Sequence, residues 1–142
     1  MNSTEHKPTA FNNPKPEGYE DLVVWQKGMQ LVKSVYELTR TFPRDEKFGL
    51  VSQIRRAAVS VPSNIAEGQA RHSTGEFVQF ISHAEGSVAE VNTQLFLSVD
   101  LGFCTPDRTG KAIELSRELR RMLNGLRRKL QEKKSSDMWK KQ

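Results

Sequence analysis

Apolar residues recur at steps of three and four along this chain. That period constrains the fold more than any other feature, because it is the spacing of one face of an α-helix. The pattern is clearest in SQIRRAAVSVPSNIAEG, residues 52–68, although Pro62 lies inside this stretch. The residues that keep the period on both sides of the proline are Ile54, Ala57, Ala58, Val61 and Ile65. A proline inside a helix removes one backbone hydrogen bond and costs about 3 kcal/mol. We therefore predict one helix, the second of the chain, that is kinked at Pro62.

A first helix is predicted over about residues 21–40. Its apolar stripe comprises Leu22, Trp25, Met29, Val32, Val35 and Leu38. The second helix is predicted to begin near Pro43, because proline is well tolerated in a first helical turn. Asp45 and Glu46 then lie near the positive end of the helix dipole, which favours carboxylates. Phe48 is predicted to join the apolar stripe of this helix.

Two further helices are predicted from their end signals. Ser73 and Glu76 form a capping box that opens the third helix, and Gly102 is a typical residue just past a helix end. The fourth helix is predicted over about residues 106–133, with a proline in its first turn. Both helices carry a continuous apolar stripe.

Four helices with short connections are typical of an up-down-up-down antiparallel bundle, and strand-like alternation is absent. We predict an all-α four-helix bundle over residues 19–134. Residues 1–18 are predicted to form a flexible arm, and residues 135–142 a flexible basic tail. The chain has no apolar stretch of signal-peptide or membrane-spanning length. Its single cysteine, Cys104, excludes an internal disulfide, so we predict a cytoplasmic protein.

The positive charge of the chain is concentrated near its end. Residues 108–142 contain 12 Lys and Arg against 4 Asp and Glu, whereas residues 1–107 contain 10 against 13. The basic side chains on or beside the polar face of the fourth helix are Arg117, Arg120, Arg121, Arg127, Arg128 and Lys129. We predict that they bind the phosphates of RNA or DNA without reading bases, since no aromatic residues interleave with them. The alternative is a solvated helix face without a ligand.

Side chains with catalytic or metal-binding chemistry form no recognised arrangement in the sequence. Ser60, Ser63 and Cys104 lack an evident base, and the Glu-x-x-His pairs of di-iron bundles are missing. The turn EGQARHSTGE has two glycines and Arg71 before a helix, but it lacks a P-loop lysine and a preceding strand. We predict no catalytic residue, metal or cofactor, and an ordinary turn between helices.

Three motifs carry a resemblance to a known family. They are YEDLVVWQKG, QIRRAAVSVPSNIAEG and EFVQFISHAEGSVAEVNTQL, at residues 19–28, 53–68 and 76–95. In this order they resemble the four-helix bundle protein family, some members of which are encoded inside intervening sequences of the 23S ribosomal RNA gene. The chain departs from the family pattern at Gly28, in a less basic GQARHSTGE turn, and in the extension SSDMWKKQ.

The resemblance implies a four-helix bundle, rings of five protomers and no established enzymatic activity. It extends distantly to the accessory variability protein of diversity-generating retroelements, a basic pentamer that binds nucleic acid and a reverse transcriptase. The chain resembles the intervening-sequence branch more closely, which argues against a reverse-transcriptase partner. The predicted function is a non-enzymatic pentamer that binds RNA or DNA. The alternative is a protein-interaction scaffold with no direct nucleic-acid role.

We predict a structural or inter-subunit role for the second motif and for the tryptophan of the first. The residues concerned are Arg55, Arg56, Ser60, Pro62, Asn64, Glu67 and Trp25. One of the two arginines is expected to reach a carboxylate on a neighbouring face, such as Glu67, Glu85 or Glu90, or to pair between subunits. The aromatic residues Trp25, Tyr36, Phe42 and Phe48 either fill the ends of the core or form a partner surface. Ligand binding is expected mainly on the fourth helix.

Overall fold

The computed structural model describes residues 18–140, which form four α-helices and no β-strand. The helices are α1 (Val23–Thr39), α2 (Leu50–Gln69), α3 (Thr74–Asp100) and α4 (Pro106–Lys140). Single 3₁₀ turns, Tyr19–Asp21 and Arg44–Glu46, precede α1 and α2. Each helix packs on the next one in the chain, and α1 also packs on α4. The all-α four-helix bundle predicted from the sequence is therefore confirmed.

Contacts between the helices show that neighbours run antiparallel. Gly28, early in α1, faces Pro62, late in α2, whereas Thr39 at the end of α1 bonds to Arg55 early in α2. The same reversed order holds for the other three pairs of helices. Helices α2 and α3 meet at Ser60–Ser87 and Gly68–Phe80, and α3 and α4 meet at Asn92–Ser116 and Glu85–Arg127. Helix α1 and the residues just after it meet α4 at Lys27–Glu118 and Thr41–Arg108.

The core consists of the inward faces of all four helices. Its largest fully buried aliphatic side chains include Leu31, Ile54, Ile65, Ile81, Leu95, Leu119 and Leu123. Burial of one such side chain stabilises the fold by about 1.5–3 kcal/mol. Every helix contributes to this set, which accounts for the folding of the four helices around a single core.

The predicted apolar stripe is wrong at two positions. Met29 is 39% exposed, because α1 turns Gly28 and Leu31 inward instead. A Cβ on Gly28 would lie 3.4 Å from the ring of Pro62, so this glycine allows α1 to pack closely on the proline. Phe48 is 89% exposed, because α2 begins only at Leu50 and leaves Phe48 in the preceding turn.

The second helix passes through Pro62 without interruption, as predicted. The kink itself remains a prediction. Two polar side chains bond to backbone carbonyls of the preceding turn. The Ser60 hydroxyl donates to the Ala57 carbonyl at 2.8 Å, and the Asn64 amide donates to the Ser60 carbonyl at 2.7 Å. Proline removes the hydrogen bond to the Ala58 carbonyl, so these two bonds reach nearby acceptors and do not replace the missing one.

The predicted ends of α3 are confirmed. The Ser73 hydroxyl accepts a hydrogen bond from the Glu76 backbone N–H at 3.1 Å, which caps the helix. At the other end Gly102 has a φ of +79°, a conformation that glycine adopts without strain. The backbone N–H of Phe103 then donates to the Ser98 carbonyl at 2.9 Å, and that of Gly102 to the Val99 carbonyl, which completes a Schellman motif.

The fourth helix is longer than predicted. It begins at Pro106, as expected, but continues to Lys140 rather than ending near Lys133. The extension contains no glycine or proline, so nothing in its sequence terminates the helix. The tail predicted over residues 135–142 is therefore helical as far as Lys140, and its last two residues lie outside the described part. The predicted arm, except Gly18, also lies outside the described residues.

Candidate nucleic-acid interface

Three arginines on the outer side of α4 form a basic cluster. Arg117, Arg120 and Arg121 are exposed and together line one shallow hollow of about 330 Å³. Within residues 18–139, none of them forms an ion pair. We call these three residues the α4 arginine cluster. An arginine without a carboxylate partner presents its full set of donors to an anionic ligand.

The cluster continues into a hollow between α3 and α4. Arg117 and Arg120 line this second hollow, whose floor includes the uncharged polar residues Asn92, Thr93 and Ser116. The Asn92 amide donates to the Ser116 hydroxyl at 2.8 Å. That bond fixes the two helices relative to each other beneath the arginines. The contribution of Asn92 and Thr93 was not predicted, because it depends on how α3 packs against α4.

Arg127 has a different environment from the predicted one. Its Nε donates to Glu85 Oε1 at 2.7 Å, and the two side chains are only 26% and 20% exposed. A second guanidinium nitrogen donates to Gln131 at 3.3 Å. Arg127 therefore connects α4 to α3, and its charge is largely compensated. Of the six predicted basic residues, Arg127 is the one that is not exposed.

Arg128 and Lys129 are exposed and have no ion-pair partner among the described residues. Arg128 lies in a separate hollow, beside Gln131, Glu132 and Ser135. The predicted basic face is therefore divided into the α4 arginine cluster and a weaker extension toward the C-terminus. The nearby Glu132 carboxylate reduces the positive potential at Arg128.

The most specific sequence motif lines a concave surface of the molecule. This surface, which we call the α2 groove, has a volume of about 730 Å³ and lies along the outer side of α2. Its lining residues are Tyr36, Lys47, Phe48, Val51, Ser52, Arg55, Arg56, Val59, Ser60, Ser63, Asn64 and Glu67. Sequence reasoning missed this groove because it assigned Phe48 to the core.

Neither arginine of the motif pairs with a carboxylate of its own protomer within residues 18–139, and pairing between subunits stays a prediction. Arg55 stacks on the Tyr36 ring, 4.3 Å from the ring centroid, and its Nε donates to the Thr39 hydroxyl at 2.9 Å. Arg56 is exposed and has no ion pair within residues 18–139. Glu67 pairs with Arg71 of its own turn at 3.7 Å. The groove is therefore basic as well as partly apolar.

The aromatic residues divide between the core and the groove. Trp25 and Phe42 are buried, and their rings pack on Tyr19 and Phe103. Tyr36 and Phe48 are exposed on the groove. Two of the four aromatic residues therefore fill the core, whereas the other two are exposed, and their role as a partner surface stays a prediction. Pro62 is buried against α1, as described above.

Groups with catalytic chemistry are dispersed. The Ser60 hydroxyl bonds to that of Ser87, and Ser63, His72 and His83 are exposed. Burial raises the pKa of the Cys104 thiol, and the charge of Arg108 only partly offsets this effect. A raised pKa keeps the thiol protonated and weakly nucleophilic at neutral pH. In the part of the chain that the structure describes, no three His, Cys, Asp or Glu residues converge on a metal-sized site.

Arg71 and Ser73, in the turn between α2 and α3, already have partners within the protein. Arg71 stacks on the Phe80 ring at 4.7 Å while it pairs with Glu67. The Ser73 hydroxyl accepts the hydrogen bond of the Glu76 backbone N–H, so this donor at the start of α3 is not free for an anion. This turn therefore has fewer free donors for an anion than the α4 arginine cluster has.

Over the described residues, no helix combines the length and hydrophobicity that a bilayer crossing requires.

Comparisons with known proteins agree with this architecture. The sequence model of the family described as 23S rRNA-intervening sequence protein matches residues 20–125. A crystal structure of a protein of unknown function from the S23 ribosomal protein family, from Bacteroides thetaiotaomicron VPI-5482, superposes with a TM-score of 0.68. The two chains are 21% identical, and the match covers 72% of this chain and 96% of the other. At this identity the superposition supports the fold alone. No curated protein matches the chain.

Proposed function

The chain belongs to the 23S rRNA-intervening sequence protein family, and we propose that it is a non-enzymatic helical bundle that binds RNA or DNA through the outer face of α4. The observation that carries this proposal is the α4 arginine cluster. Three exposed guanidinium groups share one hollow and have no ion pair among the described residues. Unpaired arginines at this density favour a ligand with closely spaced negative charges, which a phosphate backbone supplies.

The chemistry of the cluster favours phosphate contacts over base contacts. A planar guanidinium group donates two parallel hydrogen bonds to a phosphate, which adds geometric specificity to the charge attraction. The hollows lined by the cluster contain no aromatic residue on which an unpaired base could stack. Binding is therefore expected to depend on charge and shape rather than sequence, as for a duplex or another structured nucleic acid. The Arg127–Glu85 pair would hold α4 in place beneath the ligand.

The proposal includes self-association into a ring of five protomers, which rests on the family resemblance. A ring would present one arginine cluster from each protomer. Several weak contacts on one nucleic-acid molecule then act together, and the overall affinity exceeds that of a single contact by orders of magnitude. Neither a cofactor nor a catalytic step is part of this function.

A salt-dependent titration tests the proposal. Fluorescence anisotropy with labelled duplex RNA and duplex DNA should show binding that weakens steeply as salt rises. Reversal of charge in the double variant Arg120→Glu/Arg121→Glu should weaken binding at least about 10-fold, because each lost charge-assisted bond is worth about 1.5–3 kcal/mol. Arg44→Glu, which changes an exposed arginine in the α1–α2 connection, is the matched control. Equal affinities of the two variants and the wild type would refute the proposal.

A protein-interaction scaffold is the second candidate, and the α2 groove is the observation that favours it. Exposed aromatic side chains beside arginine are enriched at protein interfaces. A partner protein that remains bound to the purified chain after nuclease treatment would support this function. Loss of every bound protein after that treatment would argue against it.

A further inference from the structure

The α2 groove combines exposed apolar surface with positive charge. Phe48 is 89% exposed at one end, and Val59 and Tyr36 are also exposed along it. Lys47 and Arg56 add charge at the same surface. Between Arg56 and Glu67 the sequence contains no charged residue, so the middle of the groove is uncharged. An uncharged centre with charged groups at its margin is the usual composition of a protein interface.

A second exposed apolar surface lies on the last two turns of α3. Phe96, Leu97 and Leu101 are 46%, 43% and 58% exposed, and Asp100 is exposed among them. We call these four residues the α3 ridge. Helix α3 contains no Lys or Arg, and its charged residues are Glu76, Glu85, Glu90 and Asp100. The ridge is therefore apolar and acidic, whereas the groove is apolar and basic.

The two surfaces are complementary in charge and in form. The groove is concave, and the ridge consists of side chains that project from a helix. We infer that the α3 ridge of one protomer docks into the α2 groove of a second copy of this chain. Asp100 then lies near the basic end of the groove, and Leu97 and Leu101 cover the exposed aromatic surface. This inference deepens the self-association proposed above, since it assigns the two surfaces that meet.

Repeated contact of the ridge with the groove of the next copy extends the assembly in one direction. Contact between two different surfaces is heterologous, and it produces either a closed ring or an open filament. The ring of five protomers implied by the family resemblance is the closed form of such an assembly.

Single substitutions on each surface test the inference. The wild-type chain, with a protomer mass of 16.2 kDa, should elute as one assembly of five copies in light-scattering measurements. Arg56→Glu in the groove and Leu101→Glu on the ridge should each raise the dissociation constant at least about 30-fold, the effect typical of a residue central to an interface. Both side chains are exposed, so the circular dichroism spectrum of each variant should show the same helical fold.

Val23→Glu is the matched control, because Val23 is an equally exposed apolar residue of α1 outside both surfaces. This variant should retain the mass of the wild type. A comparable loss of mass in Val23→Glu would mean that any added carboxylate disrupts the assembly, and would overturn the assignment of the groove and ridge.

A mixing experiment distinguishes docking between two different surfaces from docking between two identical ones. The groove variant Arg56→Glu retains an intact ridge, and the ridge variant Leu101→Glu retains an intact groove. When mixed, they should form a dimer with one copy of each, since only one productive contact remains. The dimer cannot extend, because its two outer surfaces carry the substitutions. A mixture that stays monomeric, or that restores the full ring, would overturn the inference.

The outcomes separate this inference from the proposed function. If the wild type is a monomer, self-association fails, whereas nucleic-acid binding by α4 is judged by its own titration. If the wild type assembles but neither variant changes its mass, the assigned surfaces are wrong. If Arg56→Glu loses nucleic-acid affinity while it keeps its mass, the groove binds nucleic acid instead of a second copy.

Discussion

Replacement of Gly68 by alanine tests the close approach of α2 and α3. A Cβ at this position would lie 2.7 Å from the Phe80 Cβ and 2.9 Å from the Phe77 Cδ1. Carbon atoms pack at about 3.5–4.0 Å, so both distances are strongly repulsive. The Phe80 Cβ is bonded directly to the backbone and cannot move away by rotation of the side chain. The two helices must therefore separate to accommodate the added methyl group.

The magnitude follows from two opposing effects. Alanine in place of glycine inside a helix gains about 1 kcal/mol. Insertion of a methyl group into a tightly packed contact costs about 1–3 kcal/mol, and the upper part of that range applies where backbone has to shift. We therefore expect Gly68→Ala to lower the free energy of unfolding by about 1–2 kcal/mol.

A matched variant isolates the contact from helix propensity. Gly86→Ala adds the same methyl group within α3, where no atom beyond its chain neighbours and the nearby helix backbone lies within 4 Å of the new Cβ. It should raise the free energy of unfolding by about 1 kcal/mol. Urea unfolding followed by circular dichroism at one protein concentration would measure both variants. The reasoning is wrong if Gly68→Ala is as stable as Gly86→Ala.

Two further substitutions test local features of the fold. Ser73→Ala removes the cap of α3 and should lower the free energy of unfolding by about 1 kcal/mol. Ser73→Asp should retain most of the wild-type stability, because aspartate also caps a helix. Equal losses in the two variants would mean that the cap is not stabilising. A double-mutant cycle of Arg127→Ala and Glu85→Ala, measured by urea unfolding, should give a coupling of about 1–2 kcal/mol, because this ion pair is largely shielded from water. A coupling near zero would mean that the ion pair does not hold Arg127, so that its guanidinium group would be available to a ligand.

The sequence predicts the helices well because their period and end signals are local. The stripe on both sides of Pro62 correctly predicts one continuous α2. Ser73 and Gly102 mark the ends of α3 because caps depend on residues a few positions apart. The end of α4 is harder to predict. Beyond Leu130 the apolar stripe stops, although the helix continues to Lys140 and no glycine or proline interrupts it.

Packing between helices is the part that local patterns do not predict. The choice between Met29 and Gly28 as the inward residue of α1 depends on the ring of Pro62, which is distant in sequence. The exposure of Phe48 depends on where α2 begins. An exposed aromatic just before Gly49, followed by an uncharged stretch within α2, is a sequence signal that points to the groove.

The candidate nucleic-acid interface likewise combines features that the local sequence predicts with features that depend on packing between helices. The α4 arginine cluster was predictable, since helical spacing alone places Arg117, Arg120 and Arg121 near one another. The ion pair of Arg127 was not, because Glu85 is 42 residues away in the chain. Six basic residues in the sequence therefore become five that are exposed and unpaired within the described part of the protein.

The salt dependence of DNA binding tests the central claim most directly. The measurement compares the slope of log affinity against log salt for the wild type and for the triple variant Arg117→Gln/Arg120→Gln/Arg121→Gln on one duplex. Each phosphate contact contributes about 0.9 to this slope. The account predicts a slope that is smaller by about 0.9 for each of the three arginines that contacts a phosphate. An identical slope for the two proteins would contradict the claim that this cluster binds the nucleic-acid backbone.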